Sequence, residues 1–302
     1  MSDMTKKSMG RYLKKMSLFD ILNYGMLILF SVSIVLPFWG LFVKSISRPE
    51  DISVSFMLFP KKVTFDSYRM ALMSRDIYIG YFNTIFRVLF TTILTLLVSV
   101  LTAYPLSRRN LPFRNGITLF ILFTMFFTGG LIPSYMLIRW LSLIDNRWSL
   151  ILPGLVYAFN IVIMRNYFMF SIERSLEESA EIDGANQFTI LFRIIVPLSM
   201  PVIATIGLWT IVGNWNEWFY AMIYINSKQK EVLQLVLRKI LLSYDATRVA
   251  SYKNIAGVDE NQFSPESLKF AFTYITILPV LCIYPFIQKY FAKGIMIGSL
   301  KG

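Results

Sequence analysis

The 302-residue sequence has no histidine, one cysteine and few charges. Without histidine there is no imidazole for a Ser-His-Asp triad, an H-E-x-x-H zinc site or a histidine proton relay. The lone Cys282 excludes an intrachain disulfide and a four-cysteine zinc site. No G-x-x-x-x-G-K-[ST] run is present, so the chain builds no P-loop of its own. No other nucleophile–base or metal-ligand constellation takes their place; the reading is of a chain that is not an enzyme, with no catalytic residue, no metal and no cofactor. Charged residues make up only 16% of the chain, against about 25% in soluble domains. With 55% hydrophobic residues and a mean hydropathy of +0.55, a soluble fold would leave extensive apolar surface in water.

What the sequence does have is a series of uncharged stretches, at 21–43, 88–107, 115–138, 148–164, 194–216 and 270–288. About 20 apolar residues carry a helix across the hydrocarbon core, and a helix satisfies its own backbone hydrogen bonds there. The spacing predicts an all-α, polytopic membrane protein with six transmembrane helices, in a single transmembrane domain over 1–302. The spans are placed near 21–43, 83–107, 115–138, 148–168, 197–222 and 268–290. The first apolar run follows Lys6, Lys7, Arg11, Lys14 and Lys15. It exceeds the roughly 7–15 residues of a signal h-region, so it is expected to be a retained anchor. The same basic cluster, with Arg108, Arg109 and Arg114 between spans two and three, places both termini in the cytoplasm. The net charge of +12 then reads as attraction to anionic lipid headgroups, and no nucleic-acid recognition motif accompanies it.

Three segments fall outside on this assignment: 44–81, 139–147 and an external segment, 223–267. Within the last, EVLQLVLRKILL at 231–242 has helical spacing and 243–267 reads as an irregular loop. Asn83 and Arg87, at the outer end of span two, are expected to snorkel toward the headgroups. On the inner side lies a long charged region, 165–196, with its own apolar pattern. It predicts two short amphipathic helices joined near Asp183–Gly184, with Pro197 in the first turn of span five.

The run ESAEIDGANQFTILFRIIVP at 178–197 resembles the EAA motif of binding-protein-dependent ABC importer permeases. Glu178, Ser179, Ala180, Gly184, Ile194 and Pro197 fall on that motif's positions, and Asp183 and Ala185 complete the DGA of sugar-type members. Ser179 stands where Ala is usual and Val196 where Leu is common. The physical logic fits a coupling helix seated in a groove of a partner. Small residues permit close approach, Gly184 permits a turn that a Cβ would strain, and Glu178 and Asp183 offer charge to arginines. A surface helix ended by a Gly cap is the plainer alternative. The resemblance implies that Glu178, Ser179, Ala180, Asp183, Gly184 and Ala185 dock an ATPase.

A second run, NWNEWF at 214–219, resembles the WNE(F/Y) element of the carbohydrate-uptake branch. Asn214, Trp215, Asn216, Glu217 and Trp218 become candidates for the substrate pathway. Glu217 is the one acidic residue deep in an apolar span, where a carboxylate normally faces protein or a wet cavity. An interhelical hydrogen-bond cluster and direct sugar contact both remain open for this group. GGLIPSYMLIRWLSLIDNRWSLILP at 129–153 and FNIVIMRNYF at 159–168 resemble a subgroup importing complex or modified oligosaccharides. FAKGIMIGSLKG at 291–302 is similar to the tail of the smaller maltose-type permease subunit. The resemblance implies the type I ABC importer permease fold in a bacterial inner membrane. The implied partners are a second permease subunit, two cytoplasmic ATPase subunits carrying ATP and Mg, and a solute-binding protein. It implies an oligosaccharide cargo, and the excess of Lys and Arg over Asp and Glu in the outer segments favours an acidic one, derived from alginate or pectin. The rival is an ion-gradient-driven secondary transporter, which calls for paired ionisable residues in the spans and an inverted repeat. Neither is visible in the sequence.

Overall fold

The computed structural model of the chain describes residues 17–52, 57–242 and 265–299. These are helical almost throughout; among the described residues there is no named strand, only an isolated antiparallel bridge between Ser47 and Val63. The expected loop at 243–267 lies outside the described residues except for its last three. The chain divides into two compact units, the described parts of Met1–Tyr68 with Val258–Ala271 and of Arg69–Gly257 with Phe272–Gly302.

The first unit is dominated by α1 (Leu18–Ser45). Its start is fixed by a capping box: the Ser17 hydroxyl accepts from the Phe19 N–H at 3.4 Å and the Asp20 carboxylate accepts from the Ser17 N–H at 2.9 Å. Only Val43 and Ser45 of this helix are buried, so an apolar helix offers nearly its whole circumference outward, as a lipid-facing span does. A short helix, α2 (Pro49–Ile52), follows. The Thr64 N–H donates to the Ile46 carbonyl at 2.8 Å beside the bridge, and Ser45 and the Tyr68 hydroxyl share a hydrogen bond of 2.7 Å. Tyr68 belongs to α3 (Asp66–Met73).

The second unit is organised around α4 (Arg75–Ser107). It is followed by α5 (Arg114–Phe126), α6 (Leu131–Trp140), α7 (Ala158–Phe170), α8 (Arg174–Ile182) and α9 (Gln187–Ile190). A π-turn at Leu191–Ile195 leads into α10 (Val196–Leu198), then α11 (Met200–Asn216), α12 (Phe219–Tyr224), α13 (Leu233–Leu242) and, from Phe272 onward, α14 (Pro265–Ser299). The main core joins Val100, Ala103 and Tyr104 of α4 to Met164 and Phe168 of α7, to Ile190, Leu191 and Ile195, and to Val202 and Ile206 of α11. A smaller core gathers Ile138, Leu150, Ala221, Tyr224, Val232 and Leu235.

Among the described residues, three helices are long and apolar enough to span a membrane alone, and the number reaches six if each bent pair is one span. The bent pairs are 114–126 with 131–140 (110°), 147–154 with 158–170 (45°) and 187–198 with 200–216 (79°). Three of the six spans read from the sequence thus coincide with single helices, and the other three fall on bent pairs. The breaks have local causes. Gly130 takes φ +83° at the first, Pro153 and Gly154 end the turn just before the second, and Pro197 and Pro201 flank the third without amide donors. Pro197 accordingly sits before the bend and not at the head of an unbroken span. Helix α4 also begins at Arg75, eight residues before the expected start at 83. Arg75 and Asp76 in its first turn and the buried polar residues Asn83, Thr84 and Arg87 hide this stretch from a hydropathy reading, although its outer face carries Tyr78, Phe82 and Ile85.

The turn between α6 and α7 is tied to the segment after α12 by Asp145. Its carboxylate accepts from the N–H groups of Asn226 and Ser227 at 3.1 and 2.9 Å, from the Ser227 hydroxyl, and from Lys230 at 2.9 Å. Burial pushes this carboxyl up, but the hydrogen bonds from Ser227, Lys230 and Asn226 outweigh it and hold it well below the ordinary carboxylate range. A carboxyl depressed in the fold contributes stability that is present above its unfolded value of about 3.9 and is lost as pH falls further. The thermal midpoint of the detergent-solubilised chain should therefore drop on acidification below about pH 4. Asp145→Asn should start lower and lose less over the same range; an identical acid slope in the two proteins would overturn this assignment.

Candidate functional site

The segment 174–190 forms two short helices around a tight reversal. Helix α8 ends in a Schellman-type closure: the Ala185 N–H donates to the Ala180 carbonyl at 2.9 Å and the Gly184 N–H to the Glu181 carbonyl at 3.0 Å. Gly184 takes φ +82°, and a Cβ there would meet nothing within 4 Å, so the constraint is conformation and not space. Asn186 then caps α9 by accepting from the Thr189 N–H at 2.8 Å. Glu178, Ser179, Asp183 and Gly184 are exposed, whereas Ala180 and Ala185 are half-buried against the main core. Beside the exposed polar groups stand Leu176, Ile182 and Phe188, with Ile182 87% exposed. The six residues expected to dock a partner thus split into four that face outward and two alanines that seat the turn.

Sequence reasoning missed what holds this segment in place. Glu177 is buried and forms an ion pair with Arg108, just past the end of α4. The Arg108 guanidinium stacks on Tyr104 at 4.4 Å. The Tyr104 hydroxyl donates to Gln187 Oε1 at 2.9 Å, and Gln187 Nε2 donates to Glu181 Oε1 at 2.8 Å. The signal available in the sequence was a cluster of four acids, Glu177, Glu178, Glu181 and Asp183, one of which is used internally to pair Arg108.

The NWNEWF run sits where α11 ends. Asn214 and Asn216 donate back to the carbonyls of Thr210 and Val212 at 2.9 and 3.0 Å. Trp215 is buried: its Nε1 donates to the Thr276 carbonyl at 3.1 Å, and its ring meets Tyr81 edge-on at 6.1 Å. Glu217 occupies the break between α11 and α12, with extended backbone. Its Oε1 accepts from the Tyr220 N–H at 2.8 Å. Arg87 of α4 reaches the same residue twice, at 2.9 Å to Oε2 and 3.2 Å to the main-chain carbonyl.

Arg87 and Asn83 do not snorkel. Both are buried, at 5% and 3% exposure, because each has a partner inside the protein. Asn83 Nδ2 donates to the carbonyls of Gln229 and Glu231 at 3.0 and 2.9 Å, and its Oδ1 accepts from Arg147 Nε at 2.7 Å. One residue on, the Thr84 hydroxyl accepts the Leu233 N–H at 2.8 Å. The pair of ionisable groups that the sequence did not reveal therefore exists, between α4 and the break after α11. A lone cation and a lone carboxylate in two spans were the legible signal; their meeting depends on packing.

Near the same end of α11, a cavity of about 440 Å³ is lined by Thr95, Tyr157, Phe159, Asn160, Trp209, Thr210 and Asn214. Phe159 and Trp209 lie 5.9 Å apart at 32°, forming an aromatic wall. Asn160 is 5% exposed and lines the cavity. Aromatic faces with amides and hydroxyls, and no charge, suit the apolar faces and hydroxyl edges of a sugar ring. Of the five expected pathway residues only Asn214 lines this cavity.

The chain resembles known transport proteins over nearly its whole length. The family described as "Binding-protein-dependent transport system inner membrane component" matches residues 77–297. The chain is 39% identical over 290 residues to the polygalacturonan/rhamnogalacturonan transport system permease protein YtcP of Bacillus subtilis (strain 168), covering 95% of this chain and 100% of that one. It is 28% identical over 300 residues to the arabinooligosaccharides transport system permease protein AraQ of the same organism, covering 97% and 100%. Among solved structures, a chain of a bacterial ABC transporter involved in the import of the acidic polysaccharide alginate superimposes with TM-score 0.83 at 34% identity, covering 91% of this chain and 96% of that one.

Breaking a buried ion pair by removing one partner costs about 3–5 kcal/mol, while replacing both with apolar groups can be nearly neutral. Arg87→Met alone should therefore lower the thermal midpoint of the solubilised chain more than Arg87→Met combined with Glu217→Leu. Purely additive losses in that double-mutant cycle would show that the two charges do not support each other.

Proposed function

The chain belongs to the family of binding-protein-dependent transport system inner membrane components, and from this premise we propose that it is one of two permease subunits of an ATP-driven oligosaccharide importer. In this reading two cytoplasmic ATPase subunits carry ATP and Mg, and one of them docks on the exposed face of 176–188. A solute-binding protein delivers cargo from the opposite side, and both termini of this chain are cytoplasmic. The observation that carries the reading is the docking segment. It presents Glu178, Asp183, Ile182 and Phe188 outward while Glu177, Gln187 and the two alanines lock it to the base of α4. A face so built can receive force and pass it into a span.

The mechanism follows from differential binding. ATP favours closed ATPases, closed ATPases pull on the docking segments, and the permease state compatible with that geometry gains population. The cavity around Asn160, Trp209 and Asn214 would hold a sugar ring by stacking and by amide hydrogen bonds. The cargo is an oligosaccharide, and an acidic one of the pectin or alginate type is favoured by the chain's likeness to YtcP and to the alginate importer. Ion-gradient-driven transport is the weaker reading: the Arg87–Glu217 pair permits it, but the family match and the docking segment give it no support.

The test is uptake by proteoliposomes containing the chain, its partner permease and both ATPases. Uptake should require ATP inside and loaded binding protein outside. Gly184→Leu should abolish it without loss of membrane insertion, because a branched side chain resists positive φ, while Gly184→Asn should retain a good part of it. Uptake that persists without the ATPase subunits would sink the importer reading.

A further inference from the structure

The cavity around Asn160 and Asn214 carries no charge, so it can hold a sugar ring but cannot select an acid group. Charge appears on the other side of the break in span five. Helix α13 carries Gln234 and Arg238 four residues apart, hence on one face. Both meet residues of the NWNEWF run. The Arg238 guanidinium carbon lies 3.5 Å from the centre of the Trp218 ring, and Gln234 Nε2 donates to Asn216 Oδ1 at 3.3 Å.

Arg238 is half-buried, yet among the described residues it has no carboxylate at ion-pairing distance and donates no hydrogen bond. The neighbouring carboxylates are already engaged: Glu217 with Arg87, and Glu231 with Lys239. Stacking on an indole uses the face of a guanidinium and leaves its N–H edge free, and that planar fork matches a carboxylate bidentately. The adjacent amides of Gln234 and Asn216 supply donors and acceptors for hydroxyls. A cation held on an aromatic shelf, beside two amides, with no carboxylate among the described residues at ion-pairing distance, has the chemistry of a uronate site.

We propose that Arg238, Trp218, Gln234 and Asn216 form a subsite for one uronate residue of the cargo, in which Arg238 binds the carboxylate and the two amides bind ring hydroxyls. The proposal rests on the permease reading above and adds the group that reads acid charge. It makes α13 a specificity element, with the uncharged cavity holding the neighbouring sugar unit without regard to its acid group.

The probe is a galacturonate trisaccharide, set against the same trisaccharide with its carboxyls reduced to primary alcohols. Direct binding to the complete transporter in nanodiscs, without binding protein, is measured for both. Wild type should bind the uronate form at least about tenfold more tightly, a difference of about 1.4 kcal/mol. Arg238→Gln should remove that preference by weakening the uronate form alone, and Arg238→Lys should restore part of it. Equal wild-type binding of the two trisaccharides overturns the subsite, and this arm needs no variant. A variant that weakens both forms equally also overturns it, as would one that changes only the docking of loaded binding protein. ATP-driven uptake that shows no preference between the two sugars removes the subsite but leaves the permease reading standing. Uptake that needs no ATPase removes the permease reading instead.

Discussion

A carboxylate within an apolar span is costly unless something inside the protein compensates it. Here that compensation is Arg87, and much of the second unit is arranged around the pair. Glu217 stands at a break in span five, where a helix would otherwise leave main-chain carbonyls without donors. Arg87 supplies charge to the side chain and a donor to the carbonyl. One turn earlier on α4, Asn83 and Thr84 hold the main chain of 229–233, and Gly80 lets Leu233 approach so closely that a Cβ would lie 3.0 Å from its Cα. A single polar stripe on α4 thus fixes both the break and the segment that packs over it. Removing the charge at its centre leaves two buried groups without partners at once.

Membrane character was legible because lipid demands long uncharged helices and loops collect the charges. The reversal at Gly184 was legible because positive φ narrows the choice of residue so strongly. The broken spans were not. Hydropathy averages across Gly129–Gly130 and across Pro197–Pro201 as though the helix were continuous, and nothing in composition states a bend angle. Asn83 and Arg87 were misplaced for a related reason. A polar residue near a span end can reach headgroups or a protein partner equally well, and only three-dimensional packing places Gln229 and Glu217 within reach. Asn160 and Trp209 were invisible as site residues because each is ordinary in its own helix, and the cavity arises only where the helices meet. Arg238 was one basic residue among several in an outer segment until Trp218 was found beneath it.

The docking segment divides its labour by position. Odd residues out, such as the buried Glu177 beside the exposed Glu178, show that neighbouring acids in one motif have opposite tasks. One is used up internally to bind Arg108, and the other stays available to a partner. The same division holds for the small residues. Ala180 and Ala185 pack inward and close the turn, while Ser179 spends its hydroxyl on the Ser175 carbonyl at 2.8 Å and leaves the outer surface smooth.

Helix α4 carries contacts of both kinds. Within its first half Arg87 grips the break after α11, and just past its far end Arg108 grips the docking segment. The interval of 21 residues between them, at 1.5 Å each, makes a rod of roughly 30 Å, too stiff along its axis to absorb displacement by compression. A rod of that length works as a lever arm: a tilt of about 5° about one end sweeps the other through roughly 3 Å, about the length of one hydrogen bond. A tilt driven at the Arg108 end would carry Val100, Ala103 and Tyr104 of the main core with it, so the two ends of this rod cannot be displaced independently of the core between them.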